Sequence, residues 1–163
     1  MSLTSTNYYE LLGAPERREQ LKAAVERGGY DAFRALVDQL ENALKTVGED
    51  GFDDVASRLR AGAELFPEPA RFSPTWQKVW AELSEKLRWK RYAYESVPAS
   101  ERNGDWQILM DNPFTNHEVV CYPSLSFIEA AYLFGYFKPT LERNEYLRLQ
   151  KIVTAVEVTG DRE

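Results

Sequence analysis

His117 and Cys121 are the single histidine and the single cysteine of this chain, and their closeness in sequence raises thiolate chemistry first. A cysteine nucleophile needs an imidazole within hydrogen-bond reach to keep it ionised. The stretch His117-Glu118-Val119-Val120-Cys121 has strand composition, however, and four strand steps separate two side chains by roughly 13 Å. The expectation is a strand with Val119 and Cys121 packed inward and His117 solvated or stabilising a turn. A metal site gathered from Asp111, His117 and Glu118 across a hairpin meets a related obstacle, because neighbours on a regular strand face opposite sides. The acidic run Glu49-Asp50-Gly51-Phe52-Asp53-Asp54 fails as a calcium loop: with Gly51 in the sixth position, the first and twelfth ligands become Thr46 and Ser57. Acidic residues at a helix start answer to the helix dipole instead. Glu129 opens an apolar helix, where burial can raise its pKa, but Ser126 and Glu129 also make a capping-box pattern that accounts for it. No catalytic residue, metal ligand or cofactor follows from these groups.

Two other stretches suit binding better than catalysis. Lys86, Arg88, Lys90 and Arg91 alternate with the rings of Trp89, Tyr92 and Tyr94. Cations hold phosphates while aromatic faces stack bases, so these seven residues are the candidate contacts for single-stranded nucleic acid. The same run can instead mark a helix C-terminus, whose dipole favours basic residues. From Ser126 to Lys138 the chain is apolar except for Glu129. A helix apolar on every side must lie between layers of its own protein or against another chain. Phe127, Tyr132, Phe134, Tyr136 and Phe137 are therefore the candidate interface rings, most simply of a homodimer.

Composition narrows the function classes. With 44% hydrophobic and 28% charged residues, the chain reads as an ordinary globular protein rather than a disordered one. A net charge of −6 opposes general affinity for polyanions. A single cysteine precludes an intrachain disulfide and fits a reducing compartment. There is neither an apolar signal segment nor a run of the ~20 apolar residues a spanning helix needs. The expected location is cytoplasmic, with no membrane partner.

The elements that would position these residues change character near residue 89. Leu21, Ala24 and Val25 form a short helical stripe after Pro15, closed by Gly28-Gly29. Tyr30, Phe33, Leu36, Val37, Leu40, Leu44 and Val47 recur at three- and four-residue steps on one helix face. Asp50 is placed to cap a helix carrying Phe52, Val55, Ala56 and Leu59, with Gly62 as its stop. After a connector over 63–72, Ser73-Pro74 open a helix with Trp76, Val79, Trp80, Leu83 and Leu87 on its apolar face. Residues 89–96, 106–111 and 117–122 have strand composition, the last two forming a hairpin through Asn112-Pro113 and Asn116. A helix follows from Phe127. Residues 140–151 suit a helix, with Ile152 to Val158 as a terminal strand.

The fold class expected is α+β: about four N-terminal helices packed with a small antiparallel sheet and a buried helix in the C-terminal half. One compact domain over 1–163 comprises a helical part (1–88), an α+β part (89–159) and a frayed tail (160–163). The functional reading is a non-catalytic cytosolic protein, regulatory or accessory, acting through protein–protein contact with another chain or itself. The alternatives are nucleic-acid binding by the 86–94 run and a small-ligand site or enzyme with a pocket in the aromatic C-terminal half.

Overall fold

The structure is a computed structural model and describes residues 6–66, 75–112, 117–153, 156, 158 and 160, the side chains of 75, 112 and 117–121 excepted. Among the described residues, six α-helices and a three-stranded antiparallel sheet make an α+β fold. In chain order they are α1 (Tyr8–Leu12), α2 (Arg18–Gly28), α3 (Tyr30–Thr46), α4 (Phe52–Leu65), α5 (Thr75–Ser96), β1 (Trp106–Asn112), β2 (His117–Leu125), α6 (Phe127–Phe137) and β3 (Tyr146–Lys151). The sheet order is β2-β1-β3. Between Ile108↔Tyr122 and Leu109↔Val120 the β1–β2 register slips by one residue, so Cys121 has no partner on β1.

The helices form where the apolar spacing requires them. Gly29 closes α2 with φ of 56°, a left-handed conformation open to glycine. The α3 stripe buries Phe33, Leu36, Leu40 and Leu44, as its periodicity demands, while Tyr30 at its first turn is exposed. Trp76, Trp80 and Leu83 of α5 join Phe33, Leu36 and Leu40 in a single buried cluster that also reaches Tyr8, Ile108 and Tyr132. Two aromatic foci organise it. Phe33 stacks on Trp76 at 4.3 Å and meets Trp80 edge-on at 5.8 Å. Farther along, Tyr94 contacts both Phe52 and Phe127, and Phe127 meets Trp106, so one chain of rings ties α4, α5, α6 and β1.

Several expectations are corrected. Residues 89–96 are not a strand: α5 continues through them to Ser96. Its buried stripe runs Trp76, Trp80, Leu83, Leu87, Lys90, Tyr94, an unbroken alternation of four- and three-residue steps in which a lysine fills one core position. Gly62 does not stop α4, which runs to Leu65; a methyl group there would lie 3.1 Å from the Trp80 ring, so the glycine serves close helix packing. Asp50 makes no side-chain cap. Residues 140–151 contain β3 rather than a helix, because Leu147 and Leu149 alternate onto the core. Ile152, Val153, Val156 and Val158 are exposed and outside any strand. Ser73-Pro74 and the hairpin loop 113–116 lie outside the described residues. α1, which buries Tyr8 completely, had no signal beyond Asn7, whose side chain accepts from the Glu10 amide.

Candidate interaction surface

Helix α6 starts at the expected box. The Ser126 amide donates to Glu129 Oε1 at 2.9 Å, and the Glu129 amide donates to Ser126 Oγ at 3.2 Å. These bonds favour the ionised carboxylate and hold Glu129 below its usual pKa, the reverse of the rise that burial would give. Its side chain is exposed, so it is a cap rather than an acid–base group.

One flank of α6 is taken by its own chain. It packs most broadly on α5 and also touches α3, β1 and β3. Glu41 of α3 accepts from Lys86 Nζ of α5 at 2.6 Å and from the Tyr132 hydroxyl of α6 at 3.0 Å, one carboxylate joining three helices. Burial first, then the Glu41 charge, raises the Tyr132 pKa well above the ordinary phenol value. Of the five rings expected at an interface, Phe127 and Tyr132 are thus core residues, at 4% and 8% exposure. Phe134 and Phe137 are partly buried.

Tyr136 is different. It is 42% exposed, and across Phe137 it forms a continuous aromatic face with Tyr122 of β2, itself 44% exposed. The ring centroids are 5.2 Å apart for Tyr136–Phe137 and 5.6 Å for Tyr122–Phe137. Lys86 Nζ sits 4.7 Å from the Tyr136 ring centroid and tethers that ring from one side. A second, partly exposed set lies along α5: the exposed Tyr92 stacks on Phe134 and meets Trp89 edge-on, with Lys138 over the Trp89 ring. Tyr122 and Tyr92 were not among the interface candidates. Tyr122 was hidden because its place beside α6 depends on the sheet.

The basic run is dispersed by the helix that carries it. Lys86 pairs with Glu41, Arg88 with Glu85 and Arg91 with Asp53, while Trp89 donates its indole N–H to Glu85. Tyr94 is buried. Lys90 is fully buried and donates to the Leu44 carbonyl at 2.7 Å and, more weakly, to that of Lys45, closing the C-terminal end of α3. These pairings reduce the charge the run offers to a polyanion.

Desolvation pulls the Lys90 pKa down to about 8 from 10.5. Between those two values the unfolded chain holds a proton that the folded chain has released, so this residue makes stability rise with pH across the window. Tyr9, Tyr94 and Tyr132, whose pKa values are raised from 10.0, act in the opposite sense above that pH. Urea unfolding of wild type and Lys90→Met, stepped from neutral to about pH 9.5, isolates the lysine. Wild type is expected to gain on the variant as pH rises; a constant difference would mean the ammonium is not desolvated.

The remaining candidates gather no chemistry. Across the β1–β2 ladder Asp111 is the partner of Glu118 and Asn112 that of His117. The side chains of His117, Glu118 and Cys121 lie outside the described residues. Among those described, no three His, Cys, Asp or Glu side chains cluster as metal ligands, and no helix is long and apolar enough to cross a membrane. Compared with protein-family models, curated proteins and solved structures, the chain matches none.

Proposed function

We propose that this chain is a non-catalytic cytosolic protein that acts by contact with another polypeptide, most simply a second copy, through the aromatic face of α6 and β2. The observation that carries the reading is the continuous set Tyr122, Phe137 and Tyr136, whose two tyrosines stand more than two-fifths exposed. Tyrosine and phenylalanine are enriched at the centres of protein interfaces, where a flat ring covers much area for little conformational entropy. A two-fold axis beside Tyr136 would bring the same patch of two chains together, and a standard interface needs about 800 Å² from each.

Two substitutions separate interface from core. Tyr136→Glu is expected to leave the chain folded and shift it from dimer to monomer in sedimentation velocity. Tyr132→Glu is expected to unfold or aggregate it, because that ring is buried and its hydroxyl already faces the Glu41 carboxylate. Wild type that stays monomeric at high concentration would remove self-association.

A further inference from the structure

Helices α4 and α5 meet closely at one place, where Gly62 lies against the Trp80 ring. At the other end of their contact, Asp53 of α4 pairs with Arg91 of α5. Along this crossing the small side chains of Ala56 and Ala63 fail to fill the interhelical groove, leaving a hollow of about 330 Å³. That volume falls within the range of small-molecule sites. Its apolar floor is made by the partly exposed methyl groups of Ala56 and Ala63, with the almost fully buried Leu59 and Leu87 behind them. Every ionised side chain in the lining is an arginine: Arg60 from α4, Arg88 and Arg91 from α5.

Set against the Asp53 and Glu85 carboxylates, these three guanidiniums leave a local excess of one positive charge in a chain whose net charge is −6. Arg60 has no carboxylate within ion-pair distance among the described residues. The partners of the other two do not line the hollow: Asp53 and Glu85 have side chains 95% and 45% exposed, and ion pairs at such exposure hold an arginine loosely. A guanidinium keeps its charge at any physiological pH and presents a fork of donors that matches a carboxylate. Ser84 adds a hydroxyl to the lining. A bare inorganic anion would gain nothing from the apolar floor, and a polyanion needs an extended cationic track rather than a hollow.

We infer that the α4/α5 groove binds a small amphiphilic anion, its short hydrocarbon body on Ala56, Ala63 and the exposed edges of Leu59 and Leu87, and its carboxylate among Arg60, Arg88 and Arg91. The site is separate from the α6 face and does not depend on it.

The test titrates the full, isotope-labelled chain with octanoate, octanol, octylamine and sulfate, following backbone amide NMR signals. Octanoate is expected to shift residues 56–63 and 84–91 saturably and to bind at least tenfold more tightly than octanol. Octylamine and sulfate are expected to leave these signals in place. Replacing exposed Arg60 and Arg88 together by Gln should weaken octanoate at least tenfold and leave octanol unchanged. Ala63→Leu, which fills the hollow without touching the charge, should weaken both. Octanoate no tighter than octanol, equal binding by the double variant, or shifts confined to other parts of the chain would each overturn the assignment.

Discussion

Gly135→Ala is expected to lower the urea midpoint of unfolding, although alanine is by about 1 kcal/mol the better helix former. Gly135 is buried in α6 where that helix crosses α5. A β-carbon there would approach the Lys86 carbonyl oxygen more closely than real β-carbons approach anything, and would lie 3.2 Å from the Lys90 amide nitrogen. Both obstacles are backbone, set within a 22-residue helix that cannot yield at one residue. Relief requires α6 to lift from α5. The Glu41 carboxylate would then lose Tyr132 or Lys86, and the buried rings beside them would lose contact. Overpacking of this kind costs about 3 kcal/mol, which exceeds the propensity gain and sets the sign. A variant as stable as wild type would mean the two helices do not approach so closely.

The close contact at Gly135 also shows which parts of the molecule are legible from sequence. The apolar α6 segment, its Ser126/Glu129 box and the stripes of α3 and early α5 are local patterns, and each appears in the structure where its spacing places it. Failures arise where a residue type serves tertiary packing instead of its local propensity. Lys90 occupies a stripe position that an apolar residue would normally fill, so the apolar periodicity of α5 stops at Leu87. With Trp89, Tyr92 and Tyr94 beside it, the rest of the helix resembles a strand. The four-and-three alternation through Lys90 was the available signal, because a lysine stem can lie in a core when carbonyls receive its ammonium. Gly62 looks like punctuation but is, like Gly135, a contact point between helices. Strand β3 was readable in the alternation of Leu147 and Leu149 but was obscured by three-residue spacings through the same segment.

The candidate surface is legible only in composition. That aromatic residues gather in the C-terminal half is plain from the sequence, whereas their division into core and surface depends on where α5 and the sheet fall around α6. Tyr132 and Tyr136 stand one turn apart, yet the first is 8% and the second 42% exposed. The α4/α5 hollow has no sequence signature at all. It results from two alanines on α4 facing a leucine on α5, a relation between segments that no local pattern carries.

Trp80→Ala is expected to cost about 3–5 kcal/mol, the largest loss from any single truncation considered. Trp80 is 4% exposed and belongs to the ring cluster of Phe33, Phe66 and Trp76 that joins α3, α4 and α5. Removing the indole leaves a cavity its neighbours cannot close. Gly62 opposite has no side chain to move in, and Phe33 is already fixed by its stack on Trp76. One term opposes the loss. The Trp80 indole N–H is buried without a hydrogen-bond partner among the described residues, so wild type carries part of that donor's desolvation penalty. Trp80→Phe removes the unpaired donor and keeps most of the apolar volume, and its loss is expected to stay below about 1.5 kcal/mol. Urea unfolding of the two variants beside wild type therefore separates packing from polarity. Nearly equal losses would place the packing in the part of the indole that a phenyl ring does not replace. A midpoint unmoved by Trp80→Ala would put this face of α5 on the surface and remove the three-helix core on which the whole arrangement rests.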